Sequence, residues 1–206
     1  MIEMLFSNPV IYFMMAASVT LAFVIHEYSH AQMADFLGDP TPREYGRLTL
    51  NPLAHFDLIG ALMIFTVGFG WGKPVPFNPL NIRNRKWGSL LVGLAGPASN
   101  LIMAVLVGLV MRFVPLNSPG LITFFTVFVA LNIGLGIFNL LPIPPLDGSH
   151  ILFTFLPPSL DGVKTFLWQY GFWILIGLIF ILPVIPFLLE TVRGFIFHLI
   201  VGQPFF

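Results

Sequence analysis

The sequence predicts an α-helical polytopic membrane protein with about four long transmembrane helices and a short membrane-associated β-strand or re-entrant segment on the cytoplasmic side. Three observations predict it. Of the 206 residues, 57% are hydrophobic and only 9% are charged, whereas a soluble domain carries about 25% charged residues; the mean hydropathy is +0.91. Apolar residues gather into stretches that reach the roughly 20 residues a helix needs to cross a bilayer. The chain also contains 19 Gly and 18 Pro, which punctuate those stretches with breaks that membranes tolerate where freed backbone groups face protein or a water-filled cavity.

The first span is expected at about 9–37, where Gly38 suits a left-handed C-terminal cap and Pro40 forbids continuation. No basic region precedes it and no small-residue cleavage site follows it, so it reads as a retained span and not a signal peptide. The segment 39–87 is the one long polar stretch and holds six of the nine basic residues: Arg43, Arg47, Lys73, Arg83, Arg85 and Lys86. The positive-inside rule places it in the cytoplasm. Within it, 58–69 is apolar but too short to span and reads as strands or a re-entrant piece. Residues 73–82 (KPVPFNPLNI) read as extended, because the residue before each proline is pushed out of the helical region. Pro74 and Pro76 cannot donate, so only Val75 and Phe77 can bond a neighbouring strand and the segment is an edge strand at best.

The second and third spans are expected at about 88–114, ended by Pro115, and 121–141, ended by Pro142, Pro144 and Pro145. The fourth is expected at about 166–189, with Pro183 and Pro186 as kinks. Counting crossings, the loops after the first and third spans return to the same side, so residues near 26–30 and near 147 can meet. The whole of 1–206 reads as a single domain.

Nine basic residues balance nine acidic ones, which leaves no electrostatic footprint for nucleic acid and makes the lipid bilayer the main partner. Cysteine is absent. That excludes disulfides, thiolate metal sites and a cysteine nucleophile, and any metal must be held by His, Asp or Glu.

The chemistry sits inside the first span, in His26-Glu27-Tyr28-Ser29-His30. On a helix, positions 26 and 30 lie one turn apart on one face, so two imidazoles can hold one metal with Glu27 beside it. Zinc in such a site lowers the pKa of its bound water to about 7, and Glu27 can take that proton and pass it to a leaving amine. Three ionisable groups in an apolar membrane helix are costly, about 2.5–3.5 kcal/mol for a charge at mid-bilayer on insertion scales. A catalytic zinc needs a third protein ligand, and the best candidate is Asp147 in Asn139-Leu140-Leu141-Pro142-Ile143-Pro144-Pro145-Leu146-Asp147-Gly148. The prolines free carbonyls there, so the segment should line a polar cavity; an Asp-Gly turn is the competing reading.

With these residues the chain resembles the site-2 protease type of intramembrane zinc metalloproteases, in a minimal form without a PDZ or CBS domain. HEYSH, Ala95-Gly96-Pro97-Ala98-Ser99-Asn100 and NLLPIPPLDG occur in that family's order, and GWGKPVPFNPLN is similar to its cytoplasmic-side strand segment. The resemblance implies His26, His30 and Asp147 as ligands of one zinc per chain and Glu27 as the catalytic carboxylate. It also puts Asn139 close to the site, as a donor to the scissile carbonyl or a loop-positioning residue. Asn100 can hydrogen-bond inward, although helix packing by small residues is the stronger reading of its stretch. His150, one turn beyond Asp147, can support the ligands from behind. His55 and Asp57 read as anchors of a cytoplasmic turn in preference to a second polar site, and His198 as an interfacial residue.

The expected activity is zinc-dependent hydrolysis of peptide bonds in or near transmembrane segments of membrane-protein substrates. A helical substrate hides its scissile carbonyl in an intrahelical hydrogen bond, and Val75 and Phe77 are the candidate donors that hold it once unwound. A metal or solute transporter and an inactive helix-binding homologue are the alternatives. Glu27 discriminates among the three, since transport and helix binding need no base. Substrate identity and oligomeric state are left open by the sequence.

Overall fold

The computed structural model describes residues 1–182 and 184–204, with the side chain of Arg85 excepted. In chain order the helices are α1 (Ile2–Ser7), α2 (Pro9–Phe36), α3 (Thr41–Glu44), α4 (Pro52–His55), α5 (Leu58–Thr66), α6 (Arg85–Phe113), α7 (Pro119–Asn139), α8 (Gly148–Phe155), α9 (Asp161–Ile176) and α10 (Val184–Val201). Among the described residues, five helical stretches are long and apolar enough to cross a membrane: Pro9–Phe36, Lys86–Phe113, Pro119–Asn139, Pro158–Ile181 and Val184–Val201.

The first three spans start and stop where their sequence signals lie. Asn8 caps α2 by accepting from the Ile11 amide at 3.2 Å, and Pro9 occupies its first position. After Leu37, Gly38 turns left-handed at φ 107° and α2 ends. Asn84 and Ser118 cap α6 and α7 in the same way as Asn8.

The expected fourth span at 166–189 is instead two membrane-length stretches. The one apolar run read there forms two helices, α9 and α10, and both continue past its bounds with their charges paired at i,i+3. Lys164 meets Asp161 at 2.9 Å, and Arg193 meets Glu190 at 3.8 Å, so the apolar pattern extends past both boundaries. Pro186 sits in the first turn of α10, where its missing N–H has no intrahelical partner to lose, so it does not kink the helix. Pro183, the other expected kink, lies outside the described residues.

Helices α2, α6 and α7 pack against one another pairwise and form the centre of the molecule. Helix α10 closes one side through a cluster of Ala104, Val129, Ala130, Ile133, Phe197 and Val201. Leu146, Leu175 and Ile185 tie the proline-rich loop after α7 to α9 and α10.

No strand is formed among the described residues, which corrects the expected edge strand. The antiparallel pairing is a single bridge between Phe56 and Gly72, extended by a bond from the Lys73 amide to the His55 carbonyl at 2.8 Å. Residues 73–82 are held by side chains in place of a ladder. Buried Arg47 donates to the carbonyls of Ala54, Lys73 and Pro74. Asp39, fully buried, accepts from the Thr41 hydroxyl at 2.6 Å, the Thr41 amide at 3.2 Å, the Asn78 amide at 2.6 Å and the Asn81 side chain at 2.9 Å. The stretch 58–69, expected as strands or a re-entrant piece, contains the helix α5, capped by the Asp57 carboxylate on the amides of Ile59 and Gly60. That stretch follows α2 toward its N-terminal end and back: the Phe56 ring stacks on Phe23 at 4.9 Å, and the Tyr12 hydroxyl donates to the Phe65 carbonyl at 3.2 Å.

Asp39 therefore joins the end of α2 to the segment before α6. Burial pushes its carboxyl up, but the bonds from Thr41, Asn81 and Asn78 outweigh burial and hold it below the usual carboxylate range. A lowered native value stabilises the fold above the ordinary carboxyl pKa of about 3.9 and loses that contribution as pH falls through the native value. Asp39→Asn should lower stability by about 1–3 kcal/mol at neutral pH, and its deficit should narrow as pH falls below about 4. Thermal unfolding in detergent across a pH series checks this, and a deficit independent of pH would contradict it.

Candidate metal centre

His26 and His30 are both buried, one turn apart on α2, with ring centroids 4.6 Å apart. Asp147 reaches them from the start of α8, which the proline-rich loop carries back toward α2. The His26 and His30 Nε2 atoms are 3.0 Å apart, and Asp147 Oδ2 lies 3.1 Å from the first and 3.3 Å from the second.

The partners of the other ring nitrogens fix the tautomers. His30 Nδ1 lies 2.6 Å from the Val92 carbonyl, which can only accept, so Nδ1 carries the proton. The Asn100 Nδ2 donates to the Ala22 carbonyl and to Asn132 Oδ1, both at 3.0 Å. That turns Asn100 Oδ1 toward His26 Nδ1 at 2.7 Å, and this nitrogen is the donor too. Asn132 is anchored in turn by donating to the Phe128 carbonyl at 2.9 Å. Both Nε2 atoms consequently present lone pairs to a carboxylate oxygen that is buried and without a hydrogen-bond partner.

Three converging acceptors with no donor among them repel one another unless a cation lies between them. Their separations match the edge of a tetrahedron built on bonds of about 2.0–2.1 Å, which is roughly 3.3 Å. Two imidazoles and one carboxylate are also a donor set of catalytic zinc sites. Gly96 of α6 completes the cradle: a Cβ there would lie 2.3 Å from His30 Nε2 and 2.7 Å from His26 Nε2. The residues present fit a zinc ion, and His26, His30 and Asp147 are the group that could hold one.

Glu27 follows His26 on α2 and is half-buried, within electrostatic reach of His26, His30 and Asp147. Asn100, expected mainly as packing glue, sets the tautomer of His26. Asn139 sits in the last turn of α7 and donates to the Leu135 carbonyl at 3.0 Å. His150 is half-buried, its ring 5.8 Å from that of Phe77, and Phe77 packs on the cluster of Ala34, Ile82 and Val92. Val75 is partly buried in the same extended segment. Sequence reasoning missed Asn132 and the role of Gly96. An amide in the middle of an otherwise apolar span was the available signal for Asn132; nothing in the sequence separates Gly96 from ordinary packing glycines.

A polytopic helical membrane protein with an acceptor triad built on a His-Glu-x-x-His turn is thus defined by its geometry. Residues 114–182 match the profile of Peptidase family M50. The chain is 38% identical over 174 residues to a Bacillus subtilis (strain 168) protein named "Putative zinc metalloprotease YwhC", covering 81% of this chain and 79% of that protein. Two proteins named "Putative zinc metalloprotease Rip2" are also similar. The one from Mycolicibacterium smegmatis is 32% identical over 82% of this chain and 67% of its own length. The one from Mycobacterium tuberculosis is 30% identical over 92% of this chain and 72% of its own length. No solved structure matches the chain significantly. The chain belongs to Peptidase family M50, the family of zinc metalloproteases to which its motifs pointed.

Gly96→Ala should abolish metal retention while leaving the helices intact, because the new methyl group occupies the space between the imidazoles. Asn100→Ala should weaken zinc binding by about 10–100-fold by releasing the His26 tautomer. Metal content of detergent-purified protein, with circular dichroism as the control for folding, checks both; full zinc in Gly96→Ala would contradict the geometry.

Proposed function

We propose that the chain is an intramembrane zinc-dependent endopeptidase that hydrolyses peptide bonds in or near transmembrane segments of membrane-protein substrates. The observation that carries this reading is the buried set of three acceptors on His26, His30 and Asp147, with Glu27 beside it on the same helix. One zinc per chain, held by these three residues, supplies Lewis acidity and a water of lowered pKa when bound. Glu27 takes the proton of the attacking water as general base and delivers it to the nitrogen released when the peptide bond breaks. Asn100 and the Val92 carbonyl hold the two imidazoles in the tautomer that keeps both Nε2 lone pairs on the site.

A substrate helix must be locally unwound before its carbonyl can be attacked. The extended run 73–82 lies next to His150, and Val75 and Phe77 are the residues we assign to substrate binding. Asn139 is assigned to the site as the residue that positions the scissile carbonyl or the loop after α7, and His150 and Asn100 as supports of the ligands. The course of 58–69 along α2 supports reading that stretch as a helical re-entrant piece. The concentration of basic residues in 39–87 supports a cytoplasmic location for the active-site end of α2. Family membership favours peptidase chemistry over the transporter reading, and the presence of Glu27 argues against an inactive helix binder.

Purified protein in vesicles, offered a library of synthetic single-span helices with varied helix-breaking pairs, tests this directly. The wild type should hold one zinc and cut members of the library within their hydrophobic stretch. Glu27→Gln should keep its zinc and lose at least about 100-fold in rate, and Asp147→Asn should lose zinc affinity. A fully zinc-loaded wild type that cuts no member, or a Glu27→Gln variant that cuts as fast, would overturn the reading.

A further inference from the structure

Among the described residues Arg47 is a buried cation that pairs with no carboxylate: it is 7% exposed, and its guanidinium bonds carbonyl groups alone. Nη1 donates to Ala54 and, at 3.1 Å, to Lys73, and Nη2 donates to Pro74 at 3.1 Å. A charge is costly to withdraw from water, and satisfying carbonyls does not in itself require one. The cation is mounted on the metal-binding helix. Its amide bonds the Pro42 carbonyl at 2.8 Å in the stretch that follows α2, and α3 and α4 on either side both pack on α2.

Arg47 takes the Lys73 and Pro74 carbonyls just beyond the single bridge of Phe56 to Gly72. Farther along the run a second buried charge from the stretch after α2 does the same: Asp39 accepts from the Asn78 amide at 2.6 Å and the Asn81 side chain at 2.9 Å. Between these two pins Val75, Pro76 and Phe77 are half-buried, and none of their backbone groups is hydrogen-bonded. The run also brackets the ligand set. A Cβ on Gly72 would fall 1.9 Å from Cζ of Phe23, one turn before Glu27 on α2. At the other end the Phe77 ring lies 5.8 Å from that of His150, one turn beyond Asp147.

We propose that Arg47 is a positioning residue that sets the register of cleavage: by fixing the Lys73 and Pro74 carbonyls against α2, it holds the unbonded backbone of 75–77 at one setting beside the metal site and so decides which peptide bond of an unwound substrate is cut. The proposal rests on the assignment of Val75 and Phe77 to substrate binding. Residues two apart in an extended chain turn to the same side, so Val75 and Phe77 offer their N–H and C=O groups to one partner strand. The substrate residues that pair with them are two apart as well. A slide of the run by the rise of one residue, about 3.3 Å, carries the neighbouring peptide bond to the metal. A guanidinium is suited to prevent that slide, because its flat fork holds separate carbonyls in fixed directions, whereas a lysine ammonium is a point donor.

The library helix cut fastest by the wild type is the substrate, and product masses give the positions of the cuts. The wild type should cut at a single bond. Arg47→Lys should keep its zinc, raise KM about five-fold or more and add cuts at neighbouring bonds. Phe197→Leu, in the cluster that seats α10, is the control for loosening alone: it should lose thermal stability and keep the single cut. Scattered cuts by the wild type, a wild-type KM with a single cut in Arg47→Lys, or new cuts in Phe197→Leu would each overturn the proposal. If Arg47→Lys does not fold, Arg47→Gln is read by the same criteria. A scan of the substrate in which one backbone amide at a time becomes an ester tests the register on the wild type itself. Cleavage should slow about five-fold at two positions two residues apart, at a fixed distance from the cut bond, and a flat profile would overturn the proposal. A wild type that cuts no helix fails the protease reading itself, whereas each of the other adverse results fails the proposal and leaves that reading standing.

Discussion

Two lone pairs and a carboxylate aimed at one another inside a low-dielectric interior make an arrangement that the rest of the molecule has to enforce. It is enforced by giving each imidazole a fixed acceptor for its other nitrogen. The Val92 carbonyl does this for His30, and the Asn100 side chain does it for His26. Everything central in the fold serves that pair of bonds. Helix α6 contributes Val92, Gly96 and Asn100 within about two turns, so its register against α2 sets the tautomers and clears room for the imidazoles. Helix α7 contributes Asn132, which keeps the Asn100 amide from rotating.

Much of this is legible in the amino-acid sequence, for a physical reason. Membrane spans must satisfy their backbone internally, so long apolar stretches with capping residues at their ends have few alternatives to helix. Gly38 accordingly marks the end of α2, while the caps Asn8, Asn84 and Ser118 emerge only with the structure. The His26, Glu27 and His30 turn is equally legible, because helical periodicity alone puts both imidazoles on one face. Asp147 needs the count of crossings to bring it to the same side, and the first three spans that the count uses are the ones that hold.

What is not legible depends on contacts between distant residues. The single span at 166–189 fails because an unbroken apolar run does not show that the chain divides it between two helices, α9 and α10. The run from Lys73 to Ile82 has the local preferences of an extended chain, and it is extended. Whether extended chain becomes a strand is decided by its neighbours, and here Arg47 and Asp39 take the backbone groups that a ladder would use. Gly96 shows the same limit, since a glycine against an imidazole and a glycine against a leucine read alike in one dimension.

The run of hydrogen bonds from Phe128 through Asn132 and Asn100 to His26 Nδ1 crosses three helices, and both side-chain amides in it are matched inside the protein. Prising those helices apart would strand amides in hydrocarbon at a cost of several kcal/mol for each group left without a partner. The central bundle is therefore a poor hinge. The periphery is built differently: α9 buries only Gly171 and Leu175 and displays Phe166, Trp168, Tyr170, Phe172 and Trp173 outward. The molecule thus joins a centre stapled by buried amides around His26, His30 and Asp147 to a flank whose aromatic face is turned to the surroundings.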